Sequence, residues 1–281
     1  MYSWRKLKDR LFLALVLAIS IVAIAPLIHL IIVTMLNGFS VILNAGLGFF
    51  TENPPTPTSK NVGGIAPSLV GSILLTALSL PITVFIALFA SIMAVEFPNN
   101  PLSIAVDVVA KSLASVPTIV VSMVVYLLVV VPMGRFSILA GAIALTIVSL
   151  PYTYTYFSTY LRSVPTTYRE AAFAIGMSRW RAVINVSLPI IRRGFLVTIL
   201  MTMARILGET AALLFTVGRY RTGVSFSVLS PSDAIPLLIF DYILTPYKVF
   251  QEVAWGAATL LLIAYLIIFI VAKFVIKEVR L

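Results

Sequence analysis

The sequence predicts an all-α integral membrane protein with six transmembrane helices. Of its 281 residues 60% are hydrophobic and only 11% are charged, against roughly 25% charged in a soluble domain. The apolar residues gather into six runs of roughly 20 or more. With a rise of about 1.5 Å per residue and a hydrocarbon core about 30 Å thick, each run can cross a bilayer as a helix. A closed barrel would need alternating strands, and these runs are continuous. The excess of 20 Lys plus Arg over 10 Asp plus Glu gives a net charge of +10. In a polar chain that would suggest nucleic acid; here the bilayer explains it better, and no nucleic-acid partner is expected. Without Cys there is no disulfide framework, thiolate metal site or Cys nucleophile, and a single His argues against His-rich metal sites and Ser/His/Asp enzymes.

The first run, 11–36, follows the basic start Trp4-Arg5-Lys6-Leu7-Lys8-Asp9-Arg10 and is far longer than the 7 to 15 or so apolar residues of a secretory signal, so a retained helix is predicted. His29, near Pro26, has no acidic partner in that span and reads as a packing or interface residue rather than a proton relay. Residues 37–67 form a loop whose Glu52-Asn53-Pro54-Pro55-Thr56-Pro57-Thr58 stretch disfavours helix. The next spans are predicted at 68–95, 104–131 and 137–161, then 194–217 and 253–276. Between the last two, segment 218–252 carries Ser-Pro and Thr-Pro breaks around the short apolar piece 235–243, a surface helix or the edge of a vestibule.

Cytoplasmic flanks collect Lys and Arg. With the N-terminus inside, the inner segments hold Arg5, Lys6, Lys8, Arg10, Lys111, the arginines of 162–193, and Lys273, Lys277 and Arg280. The outer side holds only Lys60, Arg135, Arg219, Arg221 and Lys248. Both termini are therefore predicted cytoplasmic.

The inner segment 162–193 is the most informative. Tyr168-Arg169-Glu170-Ala171-Ala172-Phe173-Ala174-Ile175 is a good helix former, and Gly176 can adopt the left-handed conformation that stops it. Ser178 can cap a second helix, Arg179-Trp180-Arg181-Ala182-Val183-Ile184, before Leu188-Pro189 returns to the membrane. Phe173, Ile175, Trp180, Val183 and Ile184 could pack on another protein, or the segment could lie as a basic linker on anionic lipid heads. Glu170-Ala171-Ala172, then Gly176, then Val186-Ser187-Leu188-Pro189 resembles the EAA loop of ABC importer permeases. The resemblance implies a type I ABC importer permease-like fold in which Glu170, Ala171, Ala172 and Gly176 form the element that couples to an ATP-hydrolysing subunit.

Arg205 and Glu209 lie four apart inside the fifth predicted span, where each charge would be disfavoured by about 2.5 to 3.5 kcal/mol at the bilayer centre. Thr198, Thr202, Arg205, Glu209 and Thr216 fall on one helical stripe, with the small residues Ala204, Gly208 and Ala212 beside it. The pair could simply fix helix packing, or it could line an anion pathway in which Arg205 presents a guanidinium suited to oxyanions. The stretch from Ala204 through Arg205, Gly208, Glu209 and Thr210 to Thr216 is similar to the signature of the PstA family of phosphate ABC permeases. That family commonly has Pro where this chain has Ala212. Further similarity lies in Gly63-Gly64-Ile65, Ala94-Val95-Glu96-Phe97, Val116-Pro117-Thr118 and Ala254-Trp255-Gly256, so the resemblance covers 63–281 of a single 1–281 permease domain.

What the resemblance implies is inward transport of inorganic phosphate, with Arg205, Glu209, Thr210 and Thr202 on the pathway. Arg219 and Arg221 are candidates for an outer vestibule, or are solvated flank charges. The implied partners are a second homologous permease subunit, a dimer of ATPase subunits and an extracytoplasmic phosphate-binding protein. No Gly-x-x-x-x-Gly-Lys-[Ser/Thr] loop is present, so ATP and Mg belong to the partner ATPase and no cofactor is expected on this chain. Molybdate or sulfate as the oxyanion, or a transporter independent of any ATPase, are the alternatives.

Overall fold

A computed structural model describes residues 2–277, and among the described residues every regular element is helical. Arg280, and the side chains of Arg5 and Lys277, counted above among the inner charges, lie outside what is described. In chain order the helices are α1 Tyr2–Ala45, α2 Ala66–Glu96, α3 Pro101–Leu113, α4 Thr118–Met133, α5 Ile138–Arg162, α6 Thr166–Ala174, α7 Arg179–Ile190, α8 Arg192–Gly208, α9 Ile235–Ile243 and α10 Lys248–Lys277.

Helices α1, α2, α5 and α10 are each long and apolar enough to cross a membrane unbroken. The third expected span is instead a bent pair, α3 meeting α4 at 105°, and α8, which opens the fifth, meets α7 of the inner segment at 74°. The 104–131 span is broken because Pro117 has no N–H to donate and pushes Val116 away from the helical region. Pro117 itself is extended, with φ −57° and ψ 131°. The 194–217 span ends early: α8 stops at Gly208, Glu209 turns extended at ψ 120°, and a short 3₁₀ turn, Ala211–Leu213, follows. Both α4 and α7 also carry a π-helical turn, Tyr126–Val130 and Val183–Ser187, just ahead of Pro132 and Pro189. The wider turn accommodates the carbonyls that a proline ring would strike in a regular helix.

Helix ends follow local chemistry. Ser137 starts α5 by accepting from the Ala140 N–H at 3.1 Å, and Asn100 starts α3 by accepting from the Leu102 N–H at 2.9 Å, with Pro101 at the first helical position. Helix α1 runs past its expected end at 36 to Ala45, and a further turn, Gly48–Thr51, precedes the extended Pro-rich stretch. Helix α9 is not a surface helix, one of the two expectations for it: Ile235, Leu237 and Leu238 are buried, packed between α2 and α10. Helices α2 and α5 make the most extensive contact. Leu75, Leu145, Val148, Ile206, Leu213 and Leu237 form the central cluster, which joins α2, α5, α8, the 3₁₀ turn and α9.

Candidate functional site

Arg205 sits in the last turn of α8, where the free carbonyl end of the helix favours a cation. Its guanidinium lies 3.6 Å over the ring of Tyr152 on α5. Its Nη2 reaches Glu209 Oε2 at 3.8 Å, too long for a strong charged hydrogen bond, and its Nε is buried without a partner. The two side chains are 27% and 13% exposed, so both are largely withdrawn from solvent. Stacking on an aromatic face fixes the plane of a guanidinium and leaves its N–H edges free, which a bidentate salt bridge would occupy. The arrangement can therefore accept an oxyanion without first breaking a strong ion pair.

The helical stripe expected on this span does not continue past Gly208, because the helix does not. Thr198 and Thr216 donate to the carbonyls of Gly194 and Ala212. Thr202 is buried against Thr153 at 2.9 Å; since the Thr153 hydroxyl donates to the Ser149 carbonyl, Thr202 is the donor of the pair. Thr210 lies in the break, where its carbonyl accepts from the Leu213 N–H at 3.1 Å. The small residues split likewise. Gly208 lies against the Tyr265 hydroxyl of α10, so close that a Cβ there would overlap it, whereas the Ala212 carbonyl accepts from Ser122 of α4.

Gly176 makes the expected left-handed turn at φ +82°, so any residue with a Cβ would be strained there. Glu170 and Ala171 are exposed and Ala172 is buried. Ser178 occupies the N-cap position of α7 but its hydroxyl caps nothing. Val183, expected on the docking face, is instead buried with Ile92, Leu161 and Val164, while Phe173, Ile175, Trp180 and Ile184 remain exposed.

At the far end of α2 lies the third cluster. Arg221 donates to both oxygens of Asp233, at 2.8 and 3.1 Å, and to Asp241 at 2.8 Å; Arg219 donates to Asp241 at 2.7 Å. Asp233 is fully buried and also accepts from the Ser68 hydroxyl at 2.5 Å. Burial works against the Arg221 charge, but its hydrogen bonds to Asp233 and then Asp241 outweigh it and raise its pKa above the ordinary arginine value. Both arginines named as vestibule candidates are thus already paired.

Sequence reasoning missed Tyr152, Arg169 and Asp233 as partners. Tyr152 and Asp233 are distant in sequence from the charges they meet, and no local pattern marks them. Among the described residues no group of acidic or His side chains could hold a metal.

A bundle of membrane-length and bent apolar helices, with an exposed helix-turn-helix and a charged pair where α8 ends, is the architecture of a membrane permease, and similarity to known proteins places it among importer permeases of the ABC transporter type. The fold is similar to that of the MetNI methionine ABC transporter at TM-score 0.63 and 17% identity, covering 77% of this chain and 96% of that one. It is similar also to a bacterial ABC transporter that imports alginate, at TM-score 0.62 and 13% identity over both full chains. Residues 86–280 match the family of binding-protein-dependent transport system inner membrane components. The probable phosphate transport system permease protein PstA of Methanocaldococcus jannaschii is 37% identical, over 98% of this chain and 95% of that protein. The phosphate transport system permease protein PstA of Yersinia pestis is 32% identical, over 96% and 90%. The chain belongs to the binding-protein-dependent transport system inner membrane component family and, within it, to the PstA permeases.

Proposed function

We propose that the chain is a transmembrane subunit of an ATP-driven importer of inorganic phosphate, multi-pass in the cell membrane with both termini cytoplasmic. The observation that carries this reading is the Arg205 guanidinium: withdrawn from solvent, stacked on Tyr152, loosely paired with Glu209, and with Nε unpartnered. A charged group withdrawn from solvent within a membrane chain and incompletely paired marks a substrate or ion pathway by default. The names of the relatives point to phosphate as that anion. Arg205 offers N–H donors to the oxyanion, and Glu209, tightening or loosening its 3.8 Å contact, assists release. Thr210 stands in the break beyond the helix end, on the approach to the guanidinium; Thr202, buried and donating to Thr153, serves the pathway by holding α8 against α5.

The pathway forms between this chain and a second, homologous permease subunit. An ATPase dimer, using ATP and Mg, docks on the 170–189 element, where Glu170, Ala171, Ala172 and the Gly176 turn receive its movement. Any drive comes from ATP binding one arrangement of the assembly better than the other. An extracytoplasmic phosphate-binding protein delivers substrate; the alginate transporter, a neighbour in fold, was solved with its periplasmic protein bound. Arg219 and Arg221 would stand at the outer mouth.

The test is Arg205→Gln in the assembled transporter. Phosphate uptake should be lost while the ATPase still co-purifies; normal uptake removes Arg205 from the pathway. Competition of labelled phosphate uptake by molybdate and sulfate separates this reading from a permease for another oxyanion, since a guanidinium alone recognises all three.

A further inference from the structure

We propose that Glu96 is a positioning residue for transport: it ties the α6–α7 pair to α2, so that movement of the pair reaches a helix to which the chain does not directly join it. The inference rests on the coupling role proposed above for the 170–189 element. Glu96 is the last residue of α2, and its carboxylate is held from both arms of the pair. Arg169 Nε, on α6, lies 3.0 and 3.2 Å from its two oxygens, and the Ser187 hydroxyl, on α7, donates to it at 3.1 Å. Its backbone carbonyl accepts from Arg179 Nη1 at 3.3 Å. Arg169 also donates through Nη1 and Nη2 to the carbonyls of Val164 and Leu161, at 3.1 and 2.7 Å, at the end of α5. One guanidinium therefore joins three elements, and Phe97 beyond α2 packs against Trp180 of α7 with ring centroids 5.5 Å apart.

The position is a poor one for an acid. A carboxylate at the C-terminal end of a helix faces the negative end of the helix dipole, and this one is also only 7% exposed. An apolar residue would serve simple packing at least as well. What charged, multiply bonded contacts add is direction: apolar surfaces slide over one another, whereas a carboxylate shared by a guanidinium and a hydroxyl holds one geometry. Helix α2 is well placed to pass a displacement on. It runs unbroken for 31 residues and contributes Leu75 to the cluster that includes Ile206, the neighbour of Arg205.

The experiment uses the full transporter, both permease chains with the ATPase and binding protein, in proteoliposomes, and reads phosphate taken up per ATP hydrolysed. Glu96→Gln should retain the ATPase and its hydrolysis while uptake per ATP falls about tenfold. The exchange Glu96→Arg with Arg169→Glu should recover part of that ratio. In a chain that has no Cys, Glu96→Cys with Arg169→Cys should be uncoupled until a short bismaleimide bridges the two, and recover when it does. A wild-type ratio in Glu96→Gln, loss of uptake and hydrolysis in step, or a bridged pair that stays uncoupled each overturns the proposal. Glu170→Lys is the control. If it uncouples while Glu96→Gln does not, this inference alone fails; if Glu170→Lys transports normally, the coupling role beneath it fails.

Discussion

The Arg205 and Arg221 clusters each pair arginine with carboxylate and differ in how completely the guanidinium is satisfied. Arg221 meets two carboxylates at 2.8 Å, one of them fully buried and held in turn by Ser68. Arg205 meets one carboxylate at 3.8 Å and the face of a tyrosine, and keeps a buried nitrogen without a partner. Burial alone does not separate scaffold from site. What separates them is the number of donors already committed: a closed network holds α2, the 218–234 segment and α9 together, and an open one keeps a donor uncommitted.

The comparison is broken most forcefully at Asp233. Asp233→Ala strands Arg221, only 15% exposed, without its main partner, and a loss of about 3 to 5 kcal/mol is expected, read as a large drop in Tm in detergent. Arg205→Gln should move Tm little, within about 1 kcal/mol, and remove uptake instead. If its Tm fell as far as that of Asp233→Ala, the two clusters would be of one kind. Tyr152→Leu sharpens the contrast: a cation–π contact contributes about 0.5 to 2 kcal/mol, so apparent phosphate affinity should weaken by about twofold to thirtyfold, with Tyr152→Phe close to wild type. Smallest of all, Thr202→Val removes one neutral hydrogen bond, about 1 kcal/mol, and should shift Tm slightly while changing uptake less than Tyr152→Leu does.

Hydropathy made α2, α5 and α10 legible to within a few residues, because a bilayer-length apolar run constrains little else. The breaks were not legible from it. Val116-Pro117 stands in plain view, but the residues around it are as apolar as an unbroken span, and the stop at Gly208 falls among Arg205, Glu209 and Thr210 with no proline to mark it. Arg205 with Glu209 could be found because their spacing is local, and so could the turn at Gly176. Tyr152 could not, since only the packing of α5 on α8 brings it under the guanidinium. Glu96 stood in a stretch noticed solely for its similarity to a family, and Asp233 in a segment read only for its proline breaks.

Because α8 ends beside Arg205, the guanidinium shares its neighbourhood with carbonyl oxygens that no longer have amides to bind. An oxyanion arriving there, on the function proposed above, would meet attraction and repulsion within the same few ångströms. Such a spot holds its guest briefly, and a resting place shallow enough to leave is what separates a conduit from a store.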